Sequence, residues 1–144
     1  MNLFGMLELS GSALGAERQR AEVVASNMAN AQTTRTPGGG PYRRQLVVFQ
    51  AQRAPRFSLS LAGFAREHAA AVRVAAVVSD QRPPVMRFEP GHPDANGQGY
   101  VAYPQVDPIE EMTDLLGAVR AYELNAAAVQ ATKNMISQSL DLLR

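Results

Sequence analysis

In DPIEEMTDLLGAVRAYELNAAAVQATKNMISQSLDLL, residues 107–143, apolar side chains recur at the spacing of a helix seam. Steps of alternately three and four residues from Met112 reach apolar side chains at nine of ten positions, and Lys133 is the exception. An apolar repeat of this length is typical of a coiled-coil seam. We therefore predict an assembly helix over residues 109–144. The seam positions are Met112, Leu115, Val119, Tyr122, Ala126, Val129, Lys133, Ile136, Leu140 and Leu143.

The start of this helix has its own sequence pattern. Asp107 is a suitable N-cap and Pro108 a suitable first helical residue, because the cap oxygen accepts an unpaired N–H and proline has no N–H to leave unpaired. Glu110 and Glu111 then place negative charge at the positive end of the helix dipole. They are adjacent and diverge by about 100° around the helix, so we do not expect a general acid–base pair.

Residues 1–36 repeat the pattern more weakly and also contain no proline. Six of eight seam positions between Leu3 and Met28 are apolar. Three glycines in this zone each cost about 1 kcal/mol relative to alanine inside a helix. We therefore predict an N-terminal assembly helix that needs a partner to persist.

All nine prolines lie within residues 37–108, which excludes a long helix there. Short β-branched or aromatic runs between turns predict strands in this zone instead. The fold prediction is thus α+β: long terminal helices pair in a coiled-coil-like assembly region around a small β-rich middle. The predicted strands cover residues 44–50, 57–61, 71–78, 84–88 and 99–103.

The formal net charge of +1 conceals a basic middle, with nine Arg against two acidic residues over 35–87. Residues 88–144 carry three basic and eight acidic side chains. Such opposite charges favour docking between proteins. We interpret Arg35, Arg43 and Arg44 as a basic contact patch for acidic protein surfaces. No nucleic-acid motif surrounds them, so we do not expect a nucleic-acid partner.

The sequence carries no recognisable catalytic or cofactor motif. It has no cysteine, only two histidines 24 residues apart, and a triple glycine without the Lys-Ser/Thr ending of a phosphate loop. We therefore predict no enzyme activity, no cofactor and no metal site. The glycines more simply predict a turn that reverses the chain. We also expect a soluble chain with neither a cleaved signal peptide nor a membrane span.

Asn27 and Asn30 are poor residues for a helix interior, since their amides compete for backbone hydrogen bonds. One interpretation is that they cap the end of the first helix. The other is that their amides bond across a helix–helix interface. The sequence leaves both open.

Three segments together resemble the bacterial flagellar basal-body rod proteins, and within them the proximal rod members. They are SGSALGAERQRAEVVASNMANAQTTRTPGGGPYRRQLVVF (10–49), EPGHPDANGQGYVAYPQV (89–106) and EEMTDLLGAVRAYELNAAAVQATKNM (110–135). The resemblance covers about residues 8–50 and 72–140. Gln105 and Asp107 depart from asparagines that are frequent in the family, and residues 51–70 match nothing in it.

The resemblance implies a structural subunit of the proximal rod that assembles with itself and other rod proteins and transmits motor torque. It implies secretion by the flagellar type III export apparatus and residence in the periplasm-spanning basal body. The terminal helices would pack into the inner tube of the axial structure. From the two seams and the two asparagines, the predicted assembly-interface residues are Leu7, Leu14, Val24, Asn27, Met28, Asn30, Met112, Leu115, Val119, Tyr122, Ala126, Val129, Ile136 and Leu140. The alternative from the residues alone is a regulatory coiled-coil module that binds a partner helix.

The helices also lead to an expectation about the isolated chain. Each terminal zone could form a helix of roughly 50 Å, which is longer than so small a β-rich unit can cover. We therefore expect part of each apolar seam to lack a partner within the monomer, so that the ends are largely unordered until assembly supplies the missing surface.

Overall fold

The protein, seen in a computed structural model, is described over residues 3–52 and 71–142. Two long helices enclose four strands in the chain order α1–β1–β2–β3–β4–α2. The strand predicted at 57–61 lies outside the described residues. The elements are α1 Leu3–Ala29, β1 Gln45–Gln52, β2 Ala71–Ser79, β3 Val85–Phe88, β4 Tyr100–Tyr103 and α2 Pro108–Asp141. The predicted α+β fold with long terminal helices is confirmed.

The two helices pack against each other as an antiparallel hairpin. Near the end of α1, Asn27 donates a hydrogen bond to Glu111 in the first turn of α2. Arg20, seven residues earlier in α1, donates to Asp114, three residues later in α2. The 34 residues of α2 outnumber the 27 of α1, so α2 extends about 10 Å beyond its partner at the free end. The two helices therefore cover part of each other within one chain. That the ends of the isolated monomer become ordered only on assembly stays a prediction.

The face that α2 turns to α1 differs from the predicted seam by one residue. Its buried positions are Glu111, Ala118 and Thr132, which are separated by multiples of seven residues. Small side chains at such positions let two helices approach closely, and α1 supplies Gly5 and Ala16 on its own buried face. The larger apolar side chains of the seam are consequently displaced to the flank of the hairpin.

The helix start has the predicted chemistry. The Asp107 carboxylate accepts a hydrogen bond from the Ile109 N–H at 2.9 Å, and Pro108 opens the helix. This cap satisfies one backbone donor that would otherwise lack a partner.

The strands form two separate antiparallel pairs, β1–β2 and β3–β4. The first pair has a register shift between Val48 and Phe49, and it lies along α1, where the Val72 N–H donates to the Ser12 hydroxyl at 3.0 Å. In the second pair Val101 is buried. The β-rich middle thus consists of two antiparallel strand pairs, and the β1–β2 pair packs against α1.

The triple glycine forms the predicted reversal between α1 and β1. Gly39 and Gly40 have φ angles of +83° and +75°, which side chains disfavour. The Thr36 N–H donates to the Gly40 carbonyl at 2.9 Å and so closes the turn. This turn brings the start of β1 back onto the end of α1.

Neither α1 nor α2 combines the length and the apolar character that crossing a membrane would require.

Candidate assembly interface

A buried polar cluster lies at the base of the helical hairpin, and Asn27 is at its centre. The Asn27 amide donates to the Gln45 carbonyl at 2.9 Å and to Glu111 Oε2 at 3.0 Å. Its oxygen accepts from the Gln45 N–H at 2.9 Å and from the Tyr42 hydroxyl at 3.0 Å. Both donors and both acceptor positions of the amide are therefore used. One side chain joins α1, β1 and α2.

Glu111 extends the cluster to a buried arginine. Glu111 is fully buried, and Arg44 is only 7% exposed. The Arg44 Nε donates to Glu111 Oε1, and its terminal nitrogens lie 3.4 Å from Glu110 and 3.6 Å from Asp114. Removing one partner of such a buried pair leaves an uncompensated charge and costs about 3–5 kcal/mol.

Arg44 is charged wherever the protein folds, and the surrounding carboxylates stabilise that charge. Burial by itself lowers the pKa of Arg44, but the hydrogen bond to Glu111 and the charges of Glu111, Glu110 and Asp114 raise it by more. The net pKa lies above its ordinary value, so Arg44 stays charged throughout the pH range in which proteins fold. The ion pair connects the residue before β1 to the first turn of α2.

Asn27 and Asn30 divide the two roles that the sequence left open. Asn27 bonds across the helix–helix interface, as described above. The Asn30 amide donates to the Ser26 carbonyl at 2.9 Å, and its oxygen accepts from the Thr33 hydroxyl at 3.2 Å. Asn30 therefore caps the end of α1 within its own chain.

The other predicted interface residues fall into three groups. Val24 is buried inside the hairpin. The half-buried residues are Leu7, Leu14, Met28, Leu115, Val129 and Ile136. The exposed residues are Met112, Val119, Tyr122, Ala126 and Leu140. The exposed group lies on α2 alone.

Four of the exposed positions form what we call the apolar line: Met112, Val119, Ala126 and Leu140, at multiples of seven residues. Met112 is 55% and Leu140 63% exposed. Met112 and Val119 each lie one residue after a buried position, Glu111 and Ala118 respectively, which is a rotation of about 100° around α2. Exposed Lys133 occupies the heptad position between Ala126 and Leu140, so the line has one charged interruption. Exposed apolar side chains aligned on one helix face are candidates for protein–protein contact. Within α2, one face thus packs on α1 while its neighbour remains uncovered.

The basic patch is smaller than the sequence indicated. Arg35 is exposed and lies 3.7 Å from Asp94, and Arg43 is exposed and donates to Gln81 at 3.2 Å. Arg44 is withdrawn into the buried cluster, where it is held by Glu111, and it is not available as a surface contact. Only Arg35 and Arg43 remain as candidates for contact with an acidic partner.

Sequence reasoning did not assign Glu111, Tyr42 or Gln45 to the cluster. Glu111, Ala118 and Thr132 lie at multiples of seven residues, a pattern that could have revealed the buried face. Hydrophobic periodicity favoured the adjacent line because its side chains are larger. Tyr42 and Gln45 have no periodic pattern, since the glycine turn brings them into place.

The described residues, 3–52 and 71–142, contain no group of three His, Asp or Glu side chains that could hold a metal ion. His92 is a turn residue whose Nδ1 accepts from the Asp94 N–H at 3.1 Å. The absence of a cofactor from the whole protein stays a prediction.

Comparison with known proteins points to one family. The family model for flagella basal body rod proteins matches residues 7–35, and that for the C-terminal part of the flagellar basal body rod FlgEFG proteins matches residues 98–142. The flagellar basal-body rod protein FlgC of Borreliella burgdorferi is 36% identical, covering 100% of this chain and 99% of the relative. FlgC of Yersinia enterocolitica (99% of this chain, 98% of the relative) and of Bacillus subtilis (99% of each) are both 38% identical. With this identity over almost the full length of each relative, the chain belongs to the FlgC family of flagellar basal-body rod proteins.

Proposed function

We propose that this protein is a structural subunit of the proximal rod of the flagellar basal body. It assembles with further copies of itself and with other rod proteins, and it transmits torque from the motor. Membership of the FlgC family supports the rod assignment. The observation that carries an assembly role is the apolar line of α2, which no other described element covers.

The geometry suits a part that carries load. Torque requires that the surface of a subunit be fixed rigidly to its interior. The Asn27–Glu111–Arg44 cluster fixes α1, β1 and α2 together by hydrogen bonds and ion pairs between buried groups. A fully satisfied buried network of this kind rigidifies the fold.

We further propose that the subunit is secreted by the flagellar type III export apparatus without a cleaved signal peptide, and resides in the periplasm-spanning part of the basal body. Contacts through Arg35 and Arg43 to acidic surfaces of neighbouring rod proteins belong to the same proposal. The protein has no enzymatic role in it. The alternative function is a regulatory coiled-coil module that binds a partner helix. No feature of the described residues favours that function over a structural role in the rod.

Replacement of the chromosomal gene tests this function. Cells that carry Met112→Asp should lack basal bodies with a complete rod and should not swim, because a charge in the apolar line has no partner in the assembled interface. Gln130→Asp is the matched control, since it puts the same side chain on an exposed polar position of α2. Intact basal bodies that do not contain the protein would contradict the proposed function.

A further inference from the structure

The β3–β4 pair is joined to the rest of the fold by a single polar side chain. Asp94, in the loop between these strands, accepts a hydrogen bond from the Thr34 hydroxyl at 2.8 Å and lies 3.7 Å from an Arg35 nitrogen. Thr34 and Arg35 belong to the connection between α1 and β1. No other hydrogen bond or ion pair links residues 85–103 to the remainder of the described chain. Apart from the chain connections and the burial of Val101, Asp94 alone therefore holds the pair in place.

His92 fixes the backbone of Asp94. The Asp94 N–H donates to the His92 Nδ1 at 3.1 Å, and the His92 N–H donates to the Glu89 carbonyl at 3.1 Å. The imidazole thus takes the role that an Asn or Asp side chain has in many turns, where it accepts the N–H two residues further along. The ring packs edge-to-face on the Tyr103 ring, with the ring centres 6.3 Å apart. These contacts hold the imidazole where its Nδ1 faces the Asp94 backbone.

The hydrogen bond from Asp94 requires a neutral imidazole. A ring nitrogen accepts an N–H only when it carries no proton of its own, so the proton of the neutral ring is on Nε2. In the imidazolium both ring nitrogens are donors. Protonation of His92 and this hydrogen bond therefore exclude each other.

The titratable and charged side chains that face this loop come from the loop itself, from β3 and β4, and from the α1–β1 connection. They are Glu89, Asp94, Arg87, Tyr103 and Arg35. The two carboxylates can accept a hydrogen bond from an imidazolium, whereas the Asp94 N–H cannot. Protonation therefore draws the ring away from the Asp94 backbone.

We propose that His92 is a pH-sensitive switch that controls how the β3–β4 pair is attached. While His92 is neutral, it holds Asp94 in the position from which the carboxylate binds Thr34. When His92 takes up a proton, the Asp94 N–H is released and the β3–β4 pair loosens from the α1–β1 connection. The switch is a property of the fold and goes beyond the role proposed for the subunit in the rod.

Hydrogen exchange measured by NMR on the full-length monomer tests the switch. The protection of the Asp94 amide is expressed relative to an unstructured peptide at the same pH. It should fall about fivefold as the His92 ring signals titrate, which is the effect of losing one hydrogen bond. An Asp94 amide that keeps its protection while His92 titrates, or that is unprotected at every pH, would overturn the proposal.

Two variants of His92 serve as controls for this measurement. His92→Asn should keep the protection on both sides of the titration, because the asparagine oxygen accepts the same N–H and takes up no proton. His92→Phe has no acceptor and should lack the protection throughout. Loss of protection in acid by His92→Asn to the same extent as in the unsubstituted protein would overturn the proposal.

The NMR signal of Thr34 tests whether the release reaches the α1–β1 connection. The Thr34 amide signal should shift with the same midpoint as the His92 ring signals, and this shift should be absent from His92→Asn. Thr34→Val should also lack it at position 34, because the hydroxyl that binds Asp94 is gone while the shape of the side chain is kept. A Thr34 signal that does not respond to His92 would confine the effect to the loop and overturn the switch.

Discussion

Asn27 and Glu111 are 84 positions apart in the chain, yet both are buried and joined by a hydrogen bond of 3.0 Å. This bond holds the end of the first helix against the start of the second. Because Glu111 also binds Arg44, the same carboxylate fixes the β1 strand to the hairpin. These contacts fix α1, α2 and the start of β1 relative to one another at this end of the hairpin.

Glu111→Gln should destabilise the fold while leaving its shape almost unchanged. The substitution removes the charge that balances buried Arg44, and such a loss costs about 3–5 kcal/mol. Urea unfolding of the purified protein measures the free energy of unfolding. Glu110→Gln is the control, because Glu110 is 58% exposed and its loss should cost at most about 1 kcal/mol. Equal stability of the two variants would contradict the assigned role of Glu111.

The Asp80 carboxylate should titrate below its ordinary value of 3.8. The backbone N–H of Arg82 donates to it, and the Arg82 side chain adds a second hydrogen bond and positive charge, so the pKa is lowered. The folded protein therefore binds this proton less readily than the unfolded chain. The contribution of Asp80 to stability is present above pH 3.8 and is lost as pH falls through its folded pKa. Carboxyl NMR titration should show this shift, and Arg82→Gln should reduce it. An unshifted Asp80 would contradict the geometry of this turn.

Gly99→Ala should destabilise the β3–β4 hairpin. Gly99 has a φ of +80°, and an added Cβ would lie 2.9 Å from the Phe88 ring and 3.2 Å from Pro90. Strain of this kind costs on the order of 1–3 kcal/mol. Thermal unfolding measures the effect. Gly97→Ala is the control, because a Cβ added at Gly97 has no atom within 4 Å. Equal melting temperatures of the two variants would show that the backbone at Gly99 does not require glycine.

Substitutions along α2 should separate folding from assembly. Ile136→Asp and Val129→Asp place a charge at half-buried positions, so we expect several kcal/mol of lost stability as well as lost motility. Leu140→Asp should abolish motility with little effect on the stability of the monomer, because Leu140 is already exposed. Swim assays beside urea unfolding distinguish the two classes. Normal swimming of the Leu140→Asp strain would exclude this end of the apolar line from the interface.

Whether a feature of this structure could be predicted from the sequence depends on how local the interactions are that form it. Local rules govern the cap at Asp107, the glycine turn and the strands at 71–79 and 85–88, so these could be predicted from neighbouring residues. The face through which α2 packs on α1 could not be predicted, because it uses small and polar side chains that hydrophobic periodicity does not detect. The burial of Arg44 depends on its contact with Glu111, which is 67 positions away in the chain. A contact between residues so far apart could not be predicted from this sequence alone.

The central claim is that the apolar line of α2 is covered by another subunit in the rod. Because the chain has no cysteine, Met112→Cys gives it a single thiol on that line. Maleimide labelling of this thiol in the monomer and in isolated basal bodies, each normalised to the denatured protein, tests the claim directly. We predict rapid labelling of the monomer and strong protection in the basal body. Equal labelling in both states would show that the line faces solvent in the assembled rod and would contradict the account.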